Sequence, residues 1–157
     1  MPIKKIIFPF LLITLVVSCD QKQVEGKQQF NELWQLEEAI YTSGKDVDIV
    51  PLNQGIEKAL TVRLPWAYSP LSIAMKIAGQ QMVSNEVNMA SKSLTGDELV
   101  TEVAVLIEKK GFPTQNIEKE YFWIRLQLGG SVWQVNEVKH AWLCKGNAKK
   151  LGAEKCE

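Results

Sequence analysis

Histidine is almost absent from this sequence, since His140 is the only one among 157 residues. Cys144 lies near it, and together they suggest a thiol catalyst or part of a metal site. In a strand, however, four residues separate two side chains by about 13 Å, which is too far for a hydrogen bond. Zinc needs three or four ligands, and His140, Cys144 and Cys156 lack the paired spacing of a zinc motif. We therefore expect no metal, no cofactor and no thiol catalysis.

Motifs for hydrolysis and for nucleotide binding are missing too. The chain has no Gly-x-Ser-x-Gly elbow and no dinucleotide fingerprint. It has no phosphate loop either, because segment 42–45 (Thr-Ser-Gly-Lys), which resembles the end of one, lacks the leading glycine. The carboxylate pairs 37/38 and 97/98 suit ordinary helix positions. The pair Glu118 and Glu120 leaves a glycosidase as an alternative, although it needs a third group to hold a substrate. We expect a protein that is not an enzyme.

The chain also lacks net charge, with 18 Lys and Arg against 18 Asp and Glu. Two of the basic residues, Lys4 and Lys5, lie in the segment interpreted below as a signal peptide. Without these two, 16 basic residues remain against 18 acidic ones, a formal charge of −2. Binding to nucleic acid or to an anionic membrane surface requires a basic excess. We therefore expect no nucleic-acid partner.

One long apolar run lies near the start of the sequence, at 6–17. A membrane-spanning helix needs about 20 apolar residues, so this run fits an export signal better, with two lysines before it and a small residue after it. Residues 16–19 (Val-Val-Ser-Cys) resemble the processing site of bacterial lipoprotein precursors. The resemblance implies cleavage before Cys19 and a diacylglycerol on its sulfur. The alternative is ordinary cleavage before a secreted domain, with Cys19 incidental.

The same resemblance implies a location. In enterobacterial lipoproteins an aspartate directly after the lipidated cysteine is associated with retention in the inner membrane, and Asp20 resembles that signal. We therefore expect a protein anchored in the inner membrane and facing the periplasm, rather than one in the outer membrane. Signal peptide 1–18 is followed by a polar tether at 19–27, whose last eight residues span at most about 28 Å. Residues 28–157 suit one globular domain.

Lipidation of Cys19 leaves an even pair of cysteines, Cys144 and Cys156. In an oxidising envelope such a pair predicts a disulfide. Closing a loop of this length stabilises a fold by about 3 kcal/mol in the chain-entropy model. The bridge also pins a tail, 145–155, that has little apolar content of its own.

Helical periodicity predicts four helices before the last third of the chain. They lie at 28–42, ending before Gly44; at 54–59, capped by Asn53; at 71–83, with Ser69 as cap and Pro70 in the first turn; and at 99–110. The last has a capping-box spacing at 95–98 and ends at a glycine followed by a proline. Segment 46–52 is expected to be extended, and 84–93 to be a loop or a continuation of the third helix.

Alternating apolar and polar residues predict strands at 60–64 and in a hairpin at 119–128 and 131–143. A two-residue Gly-Gly turn at 129–130 then pairs Leu126 with Trp133 and Ile124 with Val135, and a change of apolar phase after Asn136 predicts a β-bulge. A lone hairpin is marginal in water, so strand 60–64 and the helices are expected to pack against it. The predicted fold class is α+β, with several helices packed on a C-terminal antiparallel sheet.

Aromatic residues give the strongest indication of a binding surface. In the hairpin, Tyr121, Trp123 and Arg125 lie on the face opposite the main apolar stripe. If exposed, an aromatic and arginine cluster of this kind is typical of a protein-binding hot spot. If helices cover both faces of the sheet, Trp123 is a core residue instead. Tyr121, Trp123 and Arg125 are therefore the candidate partner-binding residues.

The leading hypothesis is a lipid-anchored envelope protein that acts without catalysis by binding a protein partner. An accessory subunit, an inhibitor, or an immunity or exclusion factor would act in this way. The closing pattern of Cys144, a Lys-rich spacer and Cys156 is similar to that of small immunity and exclusion lipoproteins, over about a dozen residues. The alternatives are a small-ligand binding module of cystatin-like or NTF2-like shape and a cell-wall hydrolase.

Overall fold

The structure is a computed structural model that describes residues 31–79, 84–96, 99–113, 115–146 and 150–156. The predicted signal peptide 1–18, the predicted lipidation site Cys19 and the predicted tether 19–27 lie outside these residues. Within the described ranges, no helix is both long enough and apolar enough to span a bilayer.

The described residues contain an antiparallel sheet and helices that precede it. The elements are α1 (Glu37–Ser43), β1 (Lys45–Asp46), α2 (Val50–Thr61), a 3-10 helix (Pro65–Tyr68), α3 (Pro70–Ile77), β2 (Glu86–Ser93), β3 (Glu102–Lys110), β4 (Ile117–Gly129) and β5 (Val132–Cys144). The five strands form one sheet in the order β1-β5-β4-β3-β2. The predicted α+β class is confirmed.

Helices cover both faces of this sheet. We call the front face the one on which α2 and α3 pack over Val105, Ile107, Phe122, Ile124 and Leu126. The back face is the one on which α1 packs, together with Leu33 of the preceding helical segment 31–35, over Ala104, Leu106, Tyr121 and Trp123. Because successive side chains of a strand point to opposite faces, the central strands β3 and β4 are apolar on both.

The helix predicted at 99–110 is wrong, because most of this segment forms β3. All side chains from Val103 to Lys109 are buried, so the strand has no polar face and no alternation to reveal it. A continuous apolar run of this kind suits a buried strand and a buried helix equally well. Of the predicted cap at 95–98, residues 97–98 lie outside the described residues. Thr95 follows β2, and its Oγ1 accepts from the Thr101 N–H at 3.3 Å.

The segment 84–93, expected to be a loop or helix, also contains a strand. Its β2 pairs antiparallel with β3 along its full length, from Glu86 opposite Lys110 to Ser93 opposite Val103. This segment lacks a clear alternation of apolar and polar residues. An edge strand is partly open to solvent, so polar residues are tolerated at several of its positions.

The strand predicted at 60–64 is wrong. Leu60 and Thr61 complete α2, and Arg63 has φ 56°, a left-handed conformation that no strand contains. The helix is longer than the predicted 54–59 because Pro51 occupies its first turn, where proline needs no N–H partner. Of the segment 46–52, Asp46 belongs to β1 and the Val47 N–H donates to the Val138 carbonyl at 3.1 Å, but α2 begins at Val50.

Asn53 lies inside α2 and does not cap it as predicted. Its side chain bonds the β5 backbone instead, donating to the Val135 carbonyl at 2.9 Å and accepting from the Val135 N–H at 2.8 Å. The amide thereby takes the place of a neighbouring strand at the outer edge of β5. Further along this edge, β1 pairs with Lys139 and His140.

The predicted hairpin is confirmed as β4 and β5, but its turn lies one residue later than expected. Gly129 pairs with Val132, so the two-residue loop is Gly130-Ser131, and Gly130 adopts φ 67°. The pairs are consequently Leu126 with Val135 and Ile124 with Val138. The register shifts between these two pairs, which places the predicted bulge at Asn136.

The other two predicted helices are present in shorter form. Of the helix expected at 28–42, residues 28–30 lie outside the described residues, and 31–35 are helical. A turn follows at Leu36, and α1 then runs to Ser43, with Gly44 directly after it as predicted. The helix expected at 71–83 forms α3, which ends at Ile77, while 80–83 lie outside the described residues. Ser69 precedes it without a capping hydrogen bond from its side chain.

Two glycine-to-alanine substitutions test how closely the elements pack, and their expected effects on the free energy of unfolding are opposite. A Cβ on Gly44 would lie 2.6 Å from the Ile40 carbonyl oxygen, whereas a Cβ on Gly55, inside α2, would meet nothing within 4 Å. We expect Gly44→Ala to lower the free energy of unfolding by about 1–3 kcal/mol. Gly55→Ala should raise it by about 0.5–1 kcal/mol, because alanine restricts the unfolded chain and favours helix.

Urea unfolding of the two variants and the wild type measures both changes. Gly44→Ala unfolding at the wild-type urea concentration would contradict the close packing of Gly44 against the Ile40 carbonyl oxygen.

Candidate functional site

The predicted partner-binding residues do not form an exposed cluster. Tyr121 and Trp123 lie on the back face as expected, but only 2% and 6% of their surfaces are exposed. Arg125 lies at the rim, 3.6 Å from carboxylate oxygens of Glu102 and Glu137. Strand alternation assigned these residues to the correct face, but it carries no information about α1, which covers two of them.

The indole of Trp123 helps to hold α1 on the sheet. Its Nε1 donates to Glu37 at 3.0 Å, and Glu37 also forms an ion pair with Lys92 of β2. The Tyr41 ring meets Trp123 edge-on, with 5.1 Å between ring centroids. Trp123 is therefore a structural residue whose polar atom is satisfied by the helix above it.

A groove opens beside α1 on the same face, with a volume of about 370 Å³. We call it the tail groove. Its lining comes from α1, from the sheet and from the C-terminal tail: Leu36, Ala39, Ser43, Tyr121, Leu143, Lys150 and Leu151. Volumes of this size lie at the lower end of the range for small-molecule sites.

The tail forms one wall of the groove because two connections hold it against β5. The predicted disulfide between Cys144 and Cys156 is formed, with a Cα–Cα distance of 5.5 Å. Between these cysteines, Gly152 forms an antiparallel bridge with Trp142, and both N–H···O distances are 3.0 Å. The bridge fixes the backbone next to Leu151 and so fixes the apolar wall.

Tyr121, one of the lining residues, is fixed by a buried polar cluster. Its hydroxyl donates to Glu108 at 3.1 Å, and Glu108 also accepts hydrogen bonds from Lys119 at 2.8 Å and Asn88 at 3.0 Å. Burial, together with the negative charge of Glu108, raises the pKa of Tyr121, so the hydroxyl stays neutral. Burial alone would raise the pKa of Glu108, but these hydrogen bonds outweigh it and lower the pKa.

A second charged cluster lies on the front face. Glu120 accepts from Lys109 at 3.0 Å, and its other oxygen lies 2.8 Å from His140 Nε2. The His140 ring stacks on Phe122, with centroids 4.0 Å apart, and lies 3.7 Å from the Trp142 ring. Burial favours a raised pKa for Glu120, but the bonds from His140 and Lys109 outweigh it and the pKa is lowered.

The second cluster bears on two arrangements considered from the sequence, a catalytic pair of His140 and Cys144 and a carboxylate pair of Glu118 and Glu120. His140 bonds Glu120 on the neighbouring strand, and Cys144 belongs to the disulfide, so the two residues do not act as a nucleophile and base. Glu120 is bound by Lys109 and His140, whereas Glu118 is exposed, so these two carboxylates do not share a groove. Among the described residues, no group of three or more His, Cys, Asp or Glu side chains is placed to hold a metal ion.

Comparison with known proteins adds no functional assignment, because no family model, curated protein or solved structure matches this chain. The tail groove is the candidate functional site. Sequence reasoning missed this groove because its wall consists of a tail with few apolar residues. Leu151, the single leucine between the paired cysteines, was the available signal.

The loss of folding stability in acid tests the lowered pKa values of the two buried carboxylates. The pKa of Glu108 and that of Glu120 lie below the ordinary value of 4.5 in the folded protein. Their stabilisation is therefore complete above that value and is lost as the pH falls through the folded-state pKa. We expect Glu108→Gln to weaken the decline in stability below pH 4.5 without abolishing it, because Glu120 remains.

Urea unfolding of the wild type and Glu108→Gln, between pH 3 and pH 7, measures this dependence. The variant should also lose about 1–3 kcal/mol at pH 7, because Lys119 loses its charged acceptor and the new amide NH2 faces the NH2 of Asn88, which is also a donor. Equal slopes for both proteins in acid would contradict a lowered pKa of Glu108.

Proposed function

We propose that this protein is a lipid-anchored envelope protein that binds a small amphiphile, an apolar molecule with an anionic head, in the tail groove. The observation that carries the proposal is a cavity of about 370 Å³ whose walls include the apolar side chains of Leu36, Ala39, Leu143 and Leu151. Concave apolar surfaces with a few polar groups are the usual form of small-molecule sites. The proposal assigns no catalytic step and no cofactor.

Charge and chemistry favour an anionic amphiphile. Among the described lining residues Lys150 is the one charged group, and it lies on the exposed tail. Tyr121 stays neutral and its hydroxyl is bound to Glu108, so it offers the ligand mainly its ring. A chain of methylenes in the groove with a carboxylate or phosphate near Lys150 would bury apolar surface and leave the head in water.

The proposed location agrees with this ligand class. A lipidated Cys19 and a tether of at most about 28 Å would hold the groove close to a bilayer, where amphiphiles concentrate. Asp20 supports the inner membrane, facing the periplasm. The groove opens between α1 and the tail over the sheet, so the strands do not have to separate for a ligand to enter.

Binding of a protein partner is the second candidate function, and a different part of the structure favours it. The predicted surface at Tyr121 and Trp123 is buried, but apolar side chains are exposed at the edge strand β2. Met89 of β2 and Leu71 of α3 are both exposed, and they line one cavity. Exposed apolar groups that cluster at one site are typical of interaction surfaces.

Photolabelling tests the tail groove. The lipid-anchored chain in nanodiscs would be labelled with a C12 carboxylate that carries a photoreactive group, and labelled peptides mapped by mass spectrometry. We expect labels on the walls of the groove and their loss in Ala39→Trp, which fills the groove from α1. Thr42→Trp is the matched control, because it adds the same ring to an exposed position of α1 outside the lining. Unchanged labelling in Ala39→Trp would overturn the proposal.

The head-group preference has a separate test. Lys150→Glu should reduce labelling by the carboxylate about two- to fivefold, which is the scale of an exposed ion pair. Labelling by the corresponding C12 alcohol should stay unchanged, because the apolar walls are intact. Equal effects on both probes would show that Lys150 does not select the head.

The anchor is tested at Cys19. We expect the wild-type chain to incorporate radiolabelled palmitate in a bacterial host and to sediment with membranes, and Cys19→Ala to do neither. Asp20→Ser should keep the label but move the chain toward the outer-membrane fraction in an enterobacterial host. Label on the Cys19→Ala chain would contradict lipidation at this residue.

A further inference from the structure

The two edges of the sheet differ in how their backbone is covered. At one edge, β1 and the Asn53 side chain pair with β5. At the other, β2 pairs with β3 alone among the described strands, so half of its backbone N–H and C=O groups point away from the sheet. An open edge of this length is a template for pairing with another strand.

The front side of this edge is apolar at Val87 and Met89, and Ser91 and Ser93 follow on the same side. Met89, at the middle of β2, has 40% of its surface exposed and lines a cavity of about 340 Å³ with Trp66, Leu71 and Met75. Leu71 is itself partly exposed beside the strand. An occupant of the edge would therefore gain apolar contacts as well as backbone hydrogen bonds.

The back side of the edge has charges in a symmetric arrangement. Glu86 and Lys92 lie three residues before and three residues after Met89, and both belong to the face that carries Ala90. Strands that pair antiparallel about a two-fold axis at Met89 place Glu86 of each opposite Lys92 of the other. Opposite charges in directly facing positions stabilise a strand pair, and like charges destabilise it.

We propose that two copies of this chain pair antiparallel through β2, with Met89 facing Met89 at a two-fold axis. In this register residue 86 faces 92, 87 faces 91 and 88 faces 90. Odd-numbered residues therefore face odd-numbered residues, and even-numbered residues face even-numbered ones. Because every second residue of an edge strand directs its N–H and C=O outward, the outward-pointing backbone groups of one copy meet those of the other. Such a closed, self-complementary contact ends at two copies and does not propagate.

The pairing joins the two sheets and covers the apolar side of the edge. Glu86 and Lys92 already form ion pairs within the chain, with Lys110 and Glu37, so the contact extends existing networks. This inference specifies the partner of the second candidate function. It does not depend on the tail groove, which lies on the other face beside α1.

Disulfide trapping tests the register in the full chain, purified from membranes with the Cys144–Cys156 bridge intact. Facing Cβ atoms in paired strands lie about 5 Å apart, so Met89→Cys should form a covalent dimer on mild oxidation. Ser91→Cys is the matched control on the same face, because in this register its two copies lie about 13 Å apart along the strands. We expect about tenfold more linked dimer for Met89→Cys; equal yields would overturn the register. The wild-type chain controls for Cys19.

Charge exchange tests the pairing without cysteines. Light scattering should show two copies for the wild type, fewer dimers for Glu86→Lys or Lys92→Glu alone, and recovery in the double variant. The double variant restores the contacts between copies but not those with Lys110 and Glu37, so recovery cannot come from repair within one chain. Circular dichroism confirms that each variant is folded. A monomeric wild type, or no recovery in a folded double variant, would overturn the proposal.

Discussion

The burial of β3 and β4 on both faces is the constraint on which the rest of this structure depends. Two neighbouring strands that are apolar on each side need a helical layer on each side, and α1 supplies one while α2 and α3 supply the other. The tail groove exists because α1 is too short to cover the whole back face. The disulfide-linked tail covers part of what remains, and the gap between helix and tail is the candidate site.

The same constraint explains the two charged clusters. Glu108 and Lys109 are adjacent in β3, so one points to the back face and the other to the front face. Each is buried, and each meets an opposite charge from β4, Lys119 in the first case and Glu120 in the second. Buried pairs of this kind add little net stability, but breaking one leaves an uncompensated charge. They therefore favour the observed β3–β4 register, because a slip of one residue would separate both pairs.

The parts of the fold that were predictable from the sequence carry local signals. The β4–β5 hairpin has glycines at its turn and alternation on both sides, and only the position of the turn was off by one residue. The segment 99–110 was misassigned because covering layers on both sides remove alternation, and Asn53 because a backbone 82 residues away outweighs its local capping preference. Tyr121 and Trp123 were assigned to the correct face, but their burial depends on α1. The groove depends on the tail, which its own composition does not reveal.

The disulfide links the completion of the tail groove to the redox environment of the chain. Leu151 reaches the groove only because Cys156 and Gly152 fasten the tail to β5. All five strands lie before the tail, and in the described part of the tail beyond the bridge Cys156 is partly buried against Phe112, Ile117 and Trp142. We therefore expect the sheet to form without the disulfide, and the tail wall of the groove to be held more firmly once an oxidant has closed the bond. The proposed ligand would then be held best in an oxidising compartment, where such disulfides persist.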